Sequence, residues 1–112
     1  MSERNPSLVI KDILYCIDHI LLYTAGLSFD DFANDFMVRE ASLYNIHIIG
    51  EAVAKLPDDV KDGEPMIPWK LIKGMRNRLI HEYFGIDLPM VWNVIKMNFL
   101  LLKMNCKGSL QV

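Results

Sequence analysis

The stretch GMRNRLIHEYFGID, residues 74–87, places Arg76, Asn77, Arg78, His81 and Tyr83 close together. Two guanidinium groups, an amide, an imidazole and a phenol can all hydrogen-bond to one polar ligand. From Lys70 to His81 the chain carries Lys70, Lys73, Arg76 and Arg78 and no acid. A local basic patch of this kind suits a phosphate-bearing ligand. The same residue types also occur as solvated side chains on helix surfaces. Arg78 fits that second reading, because Glu82 follows it by four residues, the spacing of an exposed helical ion pair. Composition alone does not choose between the two.

These side chains act together only if one element turns them to one face. At about 100° per residue, with Arg76 at zero, Asn77 falls near 100° and His81 near 140°, one shoulder of a helix, while Tyr83 falls near −20°, at the core edge. Trp69, Ile72, Met75, Leu79 and Ile80 make the core-facing arc of that helix, which the spacing predicts from Pro68 to about Tyr83. Gly74 shares the polar shoulder. A glycine inside a helix costs roughly 1 kcal/mol relative to alanine, so Gly74 suggests close approach of a backbone or a ligand.

The rest of the chain supplies partners for this helix. Leu8, Ile13, Ile17, Ile20 and Leu21 repeat at helical steps from Ser7 to Ala25, and Gly26 marks the stop. A second helix is expected from Ser28–Asp31 to about Leu56, with Phe32, Phe36, Leu43, Ile46 and Val53 as its seam and Pro57 as its end. Residues 57–67 read as a polar loop with Asp58, Asp59, Asp62 and Glu64 solvated. Asp87 caps a last helix with Val91, Trp92, Ile95, Phe99 and Leu102 buried. Strand signals are nearly absent. The expected fold is all-α, an antiparallel up-and-down bundle of four to five helices in one domain spanning residues 1–112.

At 112 residues, 52% hydrophobic and 23% charged, the chain can bury one core. Its net charge of −2 excludes a broadly basic nucleic-acid binder and leaves only a local patch. Cys16 and Cys106 form no Cys-x-x-Cys pair and read as free thiols of a reducing compartment. The apolar runs are too short to span a bilayer and no leader pattern is visible, so a soluble cytoplasmic protein is expected. No Cys/His spacing suggests a metal site, and no cofactor is expected. The seven methionines read as core filler.

The arrangement Arg76, four residues, His81, one residue, Tyr83, within PWKLIKGMRNRLIHEYFGID, resembles the HEPN superfamily of small helical ribonuclease domains. Within that superfamily it is most similar to the HepT-like toxins, which pair with a minimal nucleotidyltransferase (MNT) antitoxin. The Arg-Asn pair, the preceding Pro-Trp, the IIGEA stretch at Ile48–Ala52, and Asp87 and Trp92 extend the resemblance over most of the chain. It implies a homodimer whose motif helices line a shared cleft, and a metal-independent endoribonuclease acting on RNA. Under that reading Arg76 holds a phosphate, His81 moves a proton, and Asn77 orients one or the other. The resemblance further implies that the antitoxin transfers AMP to Tyr83 and silences the toxin. On spacing alone Tyr83 is a core-edge aromatic with a hydrogen-bonded hydroxyl.

Three further residues have two readings each. Arg39 sits on the apolar seam, either paired with Asp35 or as a second phosphate contact. Glu51 either pairs with His47 four residues earlier or holds the motif helix. Lys73 is either solvated or part of the phosphate patch. His19 reads as an ordinary surface residue. The alternatives to a nuclease are a non-catalytic module binding a nucleotide or RNA phosphate, and an adaptor subunit of a nucleotidyltransferase complex.

Overall fold

The computed structural model describes residues 5–63, 65, 67–100 and 103. Among them every regular element is helical, as the sequence predicts. Helix α1 spans Pro6–Thr24. Asn5 caps it through the Ser7 amide at 2.8 Å, and Gly26 beyond its end has a φ of 75°, the left-handed geometry that favours glycine.

The expected second helix is two. Helix α2 covers Phe29–Asn34 and opens with a reciprocal capping box between Ser28 and Asp31. Helix α3 covers Phe36–Ala54. Asp35 divides them: its backbone is extended, and its carboxylate accepts hydrogen bonds from the Met37 and Val38 amides at 3.1 and 3.2 Å. The break turns Phe36 out of the seam, leaving it 60% exposed.

The predicted loop also contains a helical turn, α4 at Asp58–Asp62. The Trp69 indole donates to the Lys61 carbonyl at 3.0 Å and ties α4 to the start of helix α5, Trp69–His81. Helix α5 stops two residues before the predicted end, because Glu82 leaves helical geometry, and Tyr83–Gly85 form a 3₁₀ turn. Asp87 caps α6, Leu88–Asn93, as expected, and the chain continues through a π-helical turn, Val94–Asn98.

Helix α1 packs along α3, and α3 along α5, over one continuous apolar core. Ile13, Ile17, Ile20, Phe32, Ile46, Ile49, Ile72, Met75, Val91, Ile95 and Phe99 are fully enclosed. Leu8 and Ile80, expected inside, lie out at the surface, and Met37 and Met97 are exposed rather than core filler. For Leu8 the register is off by one: Val9 takes the buried position. The last helix docks at the α1–α2 corner, where Trp92 meets Phe32 at 5.0 Å and Lys96 bonds the Thr24 carbonyl at 3.2 Å. Cys16 is a buried free thiol; burial first, then the Asp12 carboxylate, raises its pKa. Among the described residues no helix is long and apolar enough to cross a membrane. Leu102, Glu64 and Cys106 lie outside the described residues.

Candidate functional site

The site is built where α3 and α5 run antiparallel, Gly50 and Glu51 facing Arg76 while Leu43 and His47 share a groove with Leu79 and Tyr83. The close approach expected at Gly74 occurs instead at Gly50. A Cβ placed on Gly50 would stand 2.2 Å from Arg76 Cβ and 2.5 Å from its Cγ, whereas Gly74 has nothing within 4 Å. Glycine at position 50 therefore lets the stem of Arg76 lie across α3.

That seating delivers the guanidinium to Glu51. Arg76 Nε donates to Glu51 Oε1 at 3.0 Å, and Nη2 approaches the same oxygen at 3.0 Å. Nη1 donates to Asn77 Oδ1 at 3.0 Å. His47 Nε2 lies 3.8 Å from the same Glu51 oxygen. Both readings of Glu51 therefore hold at once: it faces His47 and it holds the motif helix. A guanidinium has five N–H donors, and these contacts engage three, leaving one on each terminal nitrogen for a further acceptor. The Arg76 side chain is 25% exposed, so an incoming anion can reach it.

His81 stands one helical turn after Asn77 on the same face, exposed at the last position of α5. Its side chain touches neither Arg76 nor Glu51 within hydrogen-bonding range, so the two motif groups share a shoulder without a direct bond. The Arg78–Glu82 ion pair does not form. Glu82 is already outside the helix, and only its backbone amide bonds the Arg78 carbonyl, at 2.7 Å.

Tyr83 is carried away from the polar shoulder by the 3₁₀ turn. It is 39% exposed, it packs edge-on against Phe84 at 5.4 Å, and among the described residues its hydroxyl has no hydrogen-bond partner. Tyr83 therefore lies at the core edge beside Leu43 and Leu79, but without the hydrogen bond expected of its hydroxyl. Tyr83 stands between two small grooves of about 220 and 240 Å³, one floored by Leu43 and reaching His47, the other reaching Arg39. Arg39 does not pair with Asp35, whose carboxylate is engaged in capping; its guanidinium donates to the Ala33 carbonyl. Arg39 thus lies near Tyr83, not near Arg76. Lys73 is exposed and lines a separate groove with Trp69.

Among the described residues no cluster of three or more His, Cys, Asp or Glu side chains could hold a metal ion. Gly50 as the seat of Arg76 was not singled out from the sequence; His47, expected only as a partner of Glu51, also stands beside the cluster as a second imidazole. The signal for Gly50 was present, a mid-helix glycine directly before Glu51.

Sequence comparison finds relatives over most of the chain. The sequence model of the family described as "Ribonuclease HepT-like" matches residues 13–106. A Caldanaerobacter subterraneus protein provisionally named an RNase is 35% identical over 108 residues, 96% of each chain. A Thermococcus cleftensis protein named "Probable ribonuclease HepT" is 37% identical over 94 residues, 84% of this chain and 86% of its own. A Methanocaldococcus jannaschii protein, also provisionally named an RNase, is 38% identical over 96 residues, 86% of this chain and 83% of its own. No solved structure matches the chain.

Proposed function

The chain belongs to the HepT-like ribonuclease family, and from that premise we propose that it is a metal-independent endoribonuclease toxin whose active groups are Arg76, Asn77 and His81. The observation that carries this reading is the Arg76 guanidinium, seated on Gly50 and oriented by Glu51 and Asn77 with two N–H groups left for a phosphate.

The chemistry follows from the side chains. A neutral imidazole of His81 takes the proton of a ribose 2′-hydroxyl, and the 2′-oxygen attacks the adjacent phosphorus. The P–O5′ bond breaks, and the leaving 5′-oxygen takes a proton from an imidazolium. The products are a 2′,3′-cyclic phosphate and a 5′-hydroxyl. Arg76 stabilises charge building on the non-bridging oxygens. One His81 per chain cannot be base and acid in the same step. A homodimer that faces two α5 helices across one cleft supplies both. Lys73 adds charge along the same helix, and Arg39 belongs to the Tyr83 side.

Control of the enzyme falls to Tyr83. Its hydroxyl attacks the α-phosphorus of ATP on a partner MNT-type nucleotidyltransferase antitoxin. Pyrophosphate leaves, the phenolic proton is lost to a base, and AMP remains on the tyrosine. The exposed, unbonded hydroxyl supports this assignment. The added phosphate and adenine would stand at the end of α5 and compete with RNA.

The test is RNA cleavage in EDTA by wild type, Arg76→Ala, His81→Ala and Tyr83→Phe. Wild type and Tyr83→Phe should cut, leaving cyclic-phosphate ends. His81→Ala should lose at least a hundredfold in rate. A single 2′-deoxy residue at the scissile position should block cleavage. Equal behaviour of wild type and the two alanine variants would sink the nuclease reading, and tight nucleotide binding without cleavage would favour a binding module. Incubation with the nucleotidyltransferase and ATP should add one AMP to wild type and none to Tyr83→Phe.

A further inference from the structure

A groove on α5 lies apart from the catalytic cluster. It lies between the end of α3, α4 and the start of α5, encloses about 640 Å³, and is lined by Val53, Ile67, Pro68, Trp69, Lys70 and Lys73 among others. On the α5 wheel, Lys70, Gly74, Asn77 and His81 follow one another at steps of four, three and four, a single straight stripe. Trp69, Lys73 and Arg76 form the stripe beside it. The groove and the catalytic shoulder are therefore two ends of one helix face, which carries Lys70, Lys73, Arg76 and His81 and no acid.

We propose that this groove is a base-binding subsite for the RNA substrate, seating one nucleobase against Trp69 while Lys70 and Lys73 hold the phosphates that lead to Arg76. The inference rests on the ribonuclease reading and adds where the strand runs and what fixes its register. The lining favours a base over a phosphate. Its floor is apolar, and its rim sets Asp58 and Asp62 against Lys61, with Asp58 and Lys61 paired at 3.7 Å. A phosphate placed among those carboxylates would be repelled, whereas a neutral base can pack on the floor and bond to either kind of group at its edge. The lysines that stand toward Arg76, Lys70 and Lys73, have no such acid on their helix. From Trp69 to Arg76 the helix rises about 10.5 Å, the length of roughly three stacked nucleotides at 3.4 Å each. The seated base accordingly lies two or three nucleotides from the bond that is cut.

The experiment uses a short single-stranded oligoribonucleotide whose cleavage site has been mapped with the wild-type protein, made uncleavable by a 2′-deoxy residue at that site. In a Trp92→Phe protein, Trp69 is the single tryptophan. Binding, followed independently by anisotropy of a labelled strand, should quench Trp69 emission. An abasic residue two or three positions from the scissile bond, on one side only, should remove the quenching and weaken binding about tenfold, while abasic residues elsewhere have little effect. Trp69→Leu should raise KM about tenfold on the intact cleavable strand, and Trp69→Phe should restore it, which a purely structural role for the indole–Lys61 bond would not allow because Phe cannot make that bond. RNA that is bound and cut with unchanged Trp69 emission and a flat abasic scan overturns the subsite and leaves the nuclease standing. Wild-type protein that neither binds nor cuts RNA overturns both.

Discussion

The guanidinium of Arg76 answers to two helices, its own through Asn77 and the facing one through Glu51. The contact is possible only because residue 50 lacks a side chain. Gly50→Ala would place a methyl carbon 2.2 Å from Arg76 Cβ, which is fixed to the α5 backbone and cannot swing away. The helices must part, at a cost of roughly 1–3 kcal/mol, so the melting temperature should fall by about 5–15 °C and cleavage should fall with it. Gly74→Ala is the control. It enters open space on a helix, where alanine is favoured by roughly 0.5–1 kcal/mol, and the lone chain should gain stability. Differential scanning calorimetry of the pair decides; equal shifts for both would show that the tight seat at Gly50 is not real. Arg76, Asn77 and His81 were legible from one helix's spacing. Glu51 was legible as a candidate holder of the motif helix, but Arg76 as the residue it holds was not, since the bond joins residues 25 apart in sequence and depends on how α3 and α5 align.

At the level of elements, the chain announces its ends where a glycine or a capping acid stands alone, as at Gly26 and Asp87. It conceals the break between α2 and α3. Phe32 and Phe36 keep a four-residue step straight across it, so the apolar period alone reads as one helix. The competing signal is Asp35, which caps two amides of the helix that follows. Helix α4 is hidden in the same way, a single turn among proline, glycine and acids that the pattern assigns to a loop. Because Asp35 is the joint, Asp35→Ala should cost about 1 kcal/mol, whereas Asp35→Asn, which keeps an acceptor, should cost little. Urea denaturation of the two variants reads the difference as a shift in midpoint at constant slope. If alanine and asparagine were equivalent, the cap would carry no weight and the break would have to come from packing of Phe32 alone.

For the whole molecule, the net charge of −2 makes any RNA contact a local event on one helix face. Three cations lie along the proposed track in each chain, Lys70, Lys73 and Arg76, while Arg78 lies about 200° round the helix from Arg76 and takes no part. Single-stranded RNA loses about 0.7 in the slope of log affinity against log salt for each phosphate neutralised. One chain engaging the strand should therefore give a slope near −2, and a homodimer that lays two α5 helices on one strand should give about −4. Lys73→Gln separates the cases again, lowering the magnitude of the slope by about 0.7 if one copy of the helix is in contact and by about 1.4 if both are. Titration of the uncleavable strand from low to moderate salt, with wild type and this variant side by side, measures both quantities at once. A slope near zero would remove phosphate contact from the α5 face altogether. A slope near −2 with a decrement of 0.7 would keep the contact and reject the two-helix cleft, and with it the second imidazole that the acid–base chemistry requires.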